Sequence, residues 1–273
     1  MYIYIPDGTE SAVALKRTTH LAIAAHEDDL ELNIFPPIAM CCGEADLYFT
    51  GVVATDGAGC PRAGAFADVT DEEMVRIRRA EQMKAADIGR YNAQVFLDFT
   101  SAQIKAPGNA AAIDAIARII EDAKPAHIFT HNLADKHPTH VGTAVKTVQA
   151  LRALKYKPET FCGCEGWRDL DWLNDELKMR FDVSKAAELG EKLVAVFESQ
   201  IAGGKRYDRA SVGRRVANAT FAESHAVDTA QALCVGMDLM PLLLDPALDI
   251  EEFICQKALL FVDELHRTIS SVK

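Results

Sequence analysis

Four short apolar runs alternate with helical segments through the first three quarters of the chain. The runs cover about residues 20–26, 47–54, 93–99 and 126–131. Each has the length of one strand, and nearly continuous apolar character is typical of strands that are covered on both faces. Because the runs alternate with helices and few hairpin signals occur, the sequence predicts a three-layer, Rossmann-like α/β fold with a mainly parallel sheet.

Start and stop signals locate the helices of this pattern. Thr70 followed by Glu73 is a capping-box pattern, and the helix that it opens is expected to stop at about Gly89. The segment 203–248 gives no clear pattern. The other segments are predicted as helices at 109–123, 138–154, 184–202 and 249–270, and as a further strand at 160–167.

Length and composition favour one large domain over residues 1–273. The chain is 49% hydrophobic, which is enough for one sizeable core. It contains no apolar run of the ~18 residues that a membrane-spanning helix needs, and its first residues lack a signal-peptide pattern. The seven cysteines are scattered without metal-binding or redox spacing. We therefore expect a cytoplasmic protein with reduced thiols and no membrane partner.

The net charge limits which classes of partner are expected for the protein. At −11, it argues against DNA or RNA, because affinity for nucleic acid comes from Lys and Arg on phosphates. The charge does not identify a substrate, since a local site can differ from the whole. A small-molecule substrate is therefore expected, and no nucleic acid.

Two matched histidine motifs follow two of the predicted strands. Residues 26–29 read His-Glu-Asp-Asp, and residues 137–140 read His-Pro-Thr-His. Ligands bind at the carboxyl edge of a parallel sheet, and both motifs are predicted there. Two imidazoles and one carboxylate, with a position left for water, are the ligands of a catalytic zinc site. The candidate metal ligands are His26, Asp29 and His140.

Two neighbouring residues suit catalysis at such a site. Asp28 points elsewhere on the helix than Asp29 and could accept a proton from water, and a protonated His137 could stabilise an oxyanion and then protonate a leaving amine. A structural interpretation remains open. In it, Asp28 and Asp29 are first-turn acids favoured by the helix dipole, and His137 is only a cap.

These residues resemble the PIG-L/LmbE-type zinc-dependent N-deacetylases. The family's first motif is Ala-His-Pro-Asp-Asp-Glu, and residues 25–30 read Ala-His-Glu-Asp-Asp-Leu. Its second motif is His-Pro-Asp-His, where residues 137–140 read His-Pro-Thr-His. Supporting likenesses are the helix around Arg78 and the glycine-containing loop 55–59. The resemblance covers about residues 19–205, which leaves a C-terminal helical extension over 206–273.

The resemblance implies roles for individual residues. It implies one zinc ion on His26, Asp29 and His140, with Asp28 as general base and His137 as electrostatic or acid partner. The substrate-binding residues that it implies are Arg78, Asp56 and Ser101. Family likeness also suggests a homo-oligomer, a trimer or a hexamer.

Three departures from the family pattern affect the pocket rather than the metal. Glu27 replaces proline, Leu30 replaces glutamate, and Thr139 replaces the aspartate that would orient the acid histidine. Ser101 stands near the place of an acidic residue. The ligands and the base are intact, so hydrolysis is expected to survive, whereas the choice of substrate hydroxyls is expected to differ.

The resulting expectation is a zinc-dependent hydrolase that removes an N-acyl group, first of all acetyl, from an amino sugar or a related small amide. Two alternatives remain at this level. One is a hydratase or lyase on the same metal scaffold, and the other is a non-catalytic protein that binds small molecules. Released acetate would distinguish the hydrolase from the first, and metal analysis would distinguish it from the second.

Overall fold

A computed structural model describes all residues from 1 to 273, and its centre is one eight-stranded sheet. The order of the strands across the sheet is β1-β4-β3-β2-β5-β6-β8-β7. The five strands from β4 to β6 are parallel, whereas β1 and β8 run antiparallel to their neighbours. The strands are β1 Tyr2–Tyr4, β2 His20–Ala24, β3 Phe49–Thr55, β4 Ala93–Phe99, β5 His127–His131, β6 Thr160–Cys164, β7 Lys178–Asp182 and β8 Leu233–Asp238.

Twelve α-helices surround the sheet. None of them is long and apolar enough to cross a lipid bilayer. Short 3-10 helices occur at Gly64–Phe66, Asp175–Leu177 and Ser184–Ala186. The α-helices are α1 Ser11–Lys16, α2 Asp29–Leu32, α3 Pro36–Cys41, α4 Asp71–Gly89, α5 Ser101–Lys105, α6 Ala110–Ala123, α7 Pro138–Ala153, α8 Ala187–Val194, α9 Glu198–Ala202, α10 Tyr207–Phe221, α11 Pro241–Leu244 and α12 Ile250–Val272.

The two faces of the sheet bury separate apolar layers, which gives the predicted three-layer α/β fold. Leu21 and Ile23 of β2 belong to one layer, which packs against α6 and α7. Ala22 and Ala24 point to the other face, where α3, α4 and α8 supply the cover. Successive side chains of a strand alternate between faces, so a strand buried on both sides must be apolar throughout.

The predicted helix signals act nearly as expected. The Thr70 hydroxyl accepts from the Glu73 backbone N–H, and the Glu73 carboxylate accepts from that of Thr70, so the capping box is formed. The stop of α4 differs in one detail from the prediction. Gly89 is still helical, and the left-handed residue is Arg90, with φ 52°. Arg90 adopts the left-handed backbone conformation at some energetic cost, because residues with a side chain disfavour that region of φ and ψ.

The C-terminal quarter is not purely helical, which corrects the expected extension over 206–273. After α10 the chain enters the sheet as β8, between β6 and β7, before α11 and α12 follow. β8 lies beyond the parallel strands and pairs with β7, so this part of the chain extends the sheet.

Candidate active site

Neighbouring parallel strands bring the two histidine motifs together. β2 and β5 pair in register, with Ile23 beside Thr130, and both end at the same edge of the sheet. The first motif fills the short turn between β2 and α2. The second lies at the start of α7, where His137 is the N-cap residue and Pro138 occupies the first turn. The sequence-predicted residues His26, Asp29, His137 and His140 therefore lie in one cluster.

One oxygen of Asp29 is the centre of this cluster. Its Oδ2 lies 3.0 Å from His26 Nδ1, 3.2 Å from His140 Nε2 and 3.4 Å from His131 Nε2. The other oxygen, Oδ1, accepts from Asn33 Nδ2 at 2.7 Å. Burial opposes ionisation of this carboxyl, but the charges of His140 and His131 outweigh burial and hold its pKa well below the ordinary value. Asp29 is therefore an ionised carboxylate facing three imidazoles.

Asp135 fixes the orientation of His140. Its Oδ2 lies 3.0 Å from His140 Nδ1, and its Oδ1 accepts from the His137 backbone N–H at 2.8 Å. Burial lowers the pKa of His140, but Asp29 and Asp135 together raise it to about 10. Asp135 was missed from the sequence, although a carboxylate behind a metal-binding histidine is a common arrangement and its position two residues before His137 was a usable signal.

The donor atoms fit a divalent metal of the zinc type. Two groups have ligand atoms that all lie within 4.8 Å of one another: His26, His137 and His140, and Asp29, His131 and His140. The predicted set takes members from both groups. His131 was not predicted, and its Nε2 already accepts the Ala25 backbone N–H at 2.9 Å. Imidazole nitrogens and one carboxylate are the ligands that zinc prefers.

Asp28 has an unusual backbone. Its φ is 97° and its ψ is −30°, outside the regions that residues with a side chain prefer. The conformation is held by Gln82 Oε1, which accepts the Asp28 N–H at 3.1 Å. Burial raises the pKa of the Asp28 carboxyl well above its ordinary value, although the charge of Arg78 opposes the rise. A strained residue of this kind is a feature of functional sites, and a raised pKa makes the ionised carboxylate a stronger base.

His137 lies in the cluster but not in the expected protonation state. Its ring is 4.5 Å from that of His140 and 5.0 Å from that of His26, centroid to centroid. Burial, with the charges of His140 and His26, lowers its pKa to about 4. The ring is therefore neutral near pH 7, which corrects the expectation of an imidazolium. From His137, Asp135 accepts a hydrogen bond only from the backbone N–H, and the ring atom Nδ1 of His137 has no hydrogen-bond partner. This agrees with the replacement of the family's orienting aspartate by Thr139.

Arg78 is engaged by the protein itself. Its guanidinium donates to the backbone carbonyl oxygens of Glu27 and Gly57, and Nε lies 3.6 Å from Glu27 Oε2. Nη2 is also 3.5 Å from Asp28 Oδ2. Arg78 therefore joins the turn after β2 to the loop after β3, and it also lines the cavity described below. This buried pair involves Glu27, the residue that stands where the family has proline.

A cavity of about 550 Å³ opens over the cluster. Ser101 and Thr139 line it together with His26, His137 and His140, as does the loop with Cys60 and Pro61. Asp56 is not among its lining residues, and its carboxylate accepts the Ala58 N–H at 3.2 Å. The cavity is also lined by residues after β6 and in α10: Glu165, Trp167, Asp169, Tyr207, Arg214 and Asn218. The three from α10 lie in the segment that gave no clear pattern in the sequence.

The fold and the cluster define a class of α/β protein with a histidine–carboxylate metal-type centre at the carboxyl edge of a parallel sheet. Residues 21–151 match the family PIG-L, described as GlcNAc-PI de-N-acetylase, and this segment holds both histidine motifs. The segment that carries both histidine motifs is therefore similar to the PIG-L family. No curated protein matches the sequence.

Three solved structures share the fold. The conserved protein TT1542 from Thermus thermophilus is 18% identical with a TM-score of 0.64, over 85% of this chain and 99% of that chain. GalB, the 4-carboxy-2-hydroxymuconate hydratase from Pseudomonas putida, is 18% identical with a TM-score of 0.63, over 81% and 96%. The N,N'-diacetylchitobiose deacetylase from Pyrococcus horikoshii is 15% identical with a TM-score of 0.61, over 79% and 82%. At these identities the likeness establishes the fold alone.

Proposed function

We propose that the protein is a zinc-dependent amidohydrolase that removes an N-acyl group, acetyl first of all, from an amino sugar or a related small amide. One observation carries the proposal. A single oxygen of Asp29 faces the imidazoles of His26 and His140 at 3.0 and 3.2 Å. Lone pairs brought so close need either protons or a shared cation between them. The match of residues 21–151 to a family described as a de-N-acetylase supports the choice of reaction.

In this proposal, His26, Asp29 and His140 hold the zinc ion. Asp135 keeps the His140 ring oriented, as partners behind metal ligands commonly do. Bound zinc would supply Lewis acidity towards the amide carbonyl and towards water. Since His140 is protonated without a metal, metal uptake releases a proton and is favoured by rising pH.

Asp28 takes the proton of the attacking water. Its carboxylate lines the cavity beside the ligands, and Gln82 and Arg78 fix its position. The proton moves to an Asp28 oxygen as the new C–O bond forms, and it passes to the amide nitrogen as the C–N bond breaks. His137, being neutral, donates a hydrogen bond from its ring N–H to the carbonyl oxygen, where negative charge develops.

The cavity suits a substrate larger than a simple amide. Its volume is within the range of small-molecule sites, and its lining includes the polar side chains of Asn218 and Arg214 as well as Trp167 and Tyr207. The deacetylase from Pyrococcus horikoshii, named for an acetylated chitobiose, has the same fold and supports an N-acetylated sugar or conjugate as substrate class.

The test combines a metal assay with an acetate assay. Purified wild-type protein and Asp28→Asn are loaded with zinc and incubated with free and conjugated N-acetylated sugars, and acetate and free amine are quantified. We expect equal zinc in both proteins and acetate only from wild type, with the variant slower by about 10²–10⁴-fold. Zinc loss in Asp28→Asn would make Asp28 a ligand. Hydration of an unsaturated acid, with no acetate from any amide, would contradict the proposed reaction.

A further inference from the structure

The C-terminal helix α12 presents an apolar surface to solvent. It has 23 residues, about 34 Å of helix, and Phe253 is its one buried residue. Of the fifteen exposed large apolar residues in the chain, six lie on this helix: Leu259, Leu260, Val262, Leu265, Ile269 and Val272. Such residues scattered singly are normal on a protein surface, whereas a continuous patch marks an interaction site.

The patch lies on the side of α12 that faces away from the protein. Val262 is nine residues, or two and a half turns, from the buried Phe253, so the two side chains lie on opposite faces. The spacings around Val262 are three, four and seven residues, which share one face. We name this face the outer stripe, and all of its residues are exposed: Cys255, Ala258, Leu259, Val262, Leu265, His266 and Ile269.

The outer stripe is close to symmetric about Val262. Leu259 and Leu265 lie three residues to either side, and Cys255 and Ile269 lie seven residues to either side. A second helix of the same sequence, running antiparallel about a two-fold axis at Val262, therefore places Leu259 opposite Leu265 of the other copy. Two-fold contacts of this kind need a self-complementary surface.

Charged residues at the ends of the stripe decide between orientations. Glu251 lies eleven residues before Val262 and Lys273 eleven residues after it, which places both on the line of the outer stripe. In an antiparallel pair, Glu251 of each copy meets Lys273 of the other. A parallel pair would place like charges together, which is unfavourable. The net charge of −11 also disfavours an anionic membrane surface as the partner.

We propose that the outer stripe of α12 binds the same stripe of a second copy of this chain, antiparallel and centred on Val262. The mass in solution is then twice that of the chain or an even multiple of it. The interface is formed by residues beyond the segment that matches the family and is remote in sequence from the histidine motifs. It is independent of the proposed reaction.

Disulfide trapping tests the register. In a background with Cys41, Cys42 and Cys255 changed to Ser, Val262→Cys places two thiols at the two-fold axis. We expect it to form a disulfide-linked dimer under mild oxidation, seen on a non-reducing gel. The matched control is Ser271→Cys, nine residues from Val262 and on the opposite face. Equal yields from the two variants, or no dimer from Val262→Cys, would overturn the proposed register.

The mass in solution tests the surface. Wild type is expected to be dimeric, or an even multiple, by light scattering at tens of micromolar. Leu259→Asp with Leu265→Asp should halve that mass with an unchanged circular dichroism spectrum, whereas Val227→Asp, at an exposed apolar residue off the helix, should not. A monomeric wild type would overturn the proposal. So would binding of that monomer to phosphatidylcholine/phosphatidylserine vesicles, which would assign the stripe to membranes.

A charge exchange tests the orientation. Glu251→Lys should raise the dimer dissociation constant about three- to thirty-fold, because two ion pairs per dimer become repulsive. Adding Lys273→Glu restores opposite charges in an antiparallel pair and should recover most of the affinity. If the double variant stays as weak as Glu251→Lys, the antiparallel pairing is wrong.

Discussion

Arg78 and Glu27 form a buried ion pair directly behind the candidate base. Nε of Arg78 lies 3.6 Å from Oε2 of Glu27, and both side chains are at most 4% exposed. Arg78 also reaches Asp28 Oδ2 at 3.5 Å. The arginine that the resemblance assigns to substrate binding thus holds the turn that carries Asp28. Burial raises the pKa of Glu27, and Arg78 opposes that rise.

Glu27→Gln should destabilise the fold. The variant keeps the shape of the side chain but removes one partner of a buried charge. Breaking a fully isolated buried pair costs about 3–5 kcal/mol, and the remaining contact with Asp28 should reduce the loss to about 1–3 kcal/mol. Urea unfolding at pH 7 measures the change. Glu188→Gln is the control, because it removes an exposed ion pair with Lys192 and should change the unfolding free energy little. Equal losses of unfolding free energy in both variants would mean that the buried pair contributes no more to stability than an exposed one.

Gly57 is the position where the loop after β3 approaches this pair. Its φ is +71°, and a Cβ there would overlap the Glu27 carboxylate. Gly57→Ala should therefore cost about 1–3 kcal/mol in unfolding free energy. Gly59→Ala is the matched control, because a Cβ there meets nothing within 4 Å and φ is not positive. A Gly57→Ala variant as stable as Gly59→Ala would show that the loop shifts freely.

His140 and His131 should differ in metal uptake, although both lie close to Asp29 Oδ2. His140→Ala removes a nitrogen free to bind metal and should abolish zinc binding. His131 Nε2 already accepts the Ala25 N–H, so His131→Ala should keep the zinc and lower stability instead. Elemental analysis and thermal unfolding of both variants separate the two effects. Zinc lost from both would place His131 among the ligands.

Asp28→Gly should separate strain from chemistry. Glycine adopts a φ of 97° without the steric cost that aspartate bears, so the variant should unfold at equal or higher denaturant, by up to about 1 kcal/mol. It should still bind zinc and should lose activity like Asp28→Asn. A variant clearly less stable than Asp28→Asn would indicate that the backbone conformation costs little and that the side-chain contacts dominate.

The sequence predicts the centre of this protein better than its edges. The strands β2 to β5 are buried on both faces, so their apolar runs are distinctive in the sequence. The motifs that follow β2 and β5 are therefore predicted at the carboxyl edge of the sheet. β7 escaped prediction because it is partly exposed and carries Lys178, Arg180 and Asp182. α10 escaped because its buried residues are Arg215 and Ala219, which give no apolar period.

The long-range polar contacts of the site could not be predicted from the sequence either. The pairing of Glu27 with Arg78 joins residues far apart in the sequence and leaves no local pattern. Helix α12 shows the converse case. Its amphipathic pattern correctly predicted a helix over 249–270, and Phe253 packs into the core, but the apolar outer stripe of the same helix is exposed. An amphipathic pattern predicts which helix face is apolar, but it does not predict which partner buries that face.

Asp169 allows a prediction about pH, because its carboxyl lies in the cavity wall after β6 with little exposure. Burial raises its pKa from 3.8 to about 7, although Arg214, 3.7 Å away, opposes the rise. Since the folded-state pKa exceeds the unfolded one, the folded protein keeps a proton that the unfolded chain loses between pH 4 and 7. This carboxyl therefore lowers stability progressively as pH rises through that window, and its contribution is constant above and below it.

Asp169→Asn should remove this dependence. Asn suits the backbone at φ 53° and has no proton to lose. Relative to wild type, the variant should gain about 1–3 kcal/mol in unfolding free energy on going from pH 4 to pH 7.5, below the limit of about 4 kcal/mol set by the full shift. Urea unfolding at both pH values gives the difference. Asp171→Asn controls for lost pairing with Arg214, because its exposed carboxylate also accepts from Arg214, at 3.3 Å. If Asp169→Asn showed no larger gain than Asp171→Asn, Asp169 would be ionised in the folded protein near neutral pH.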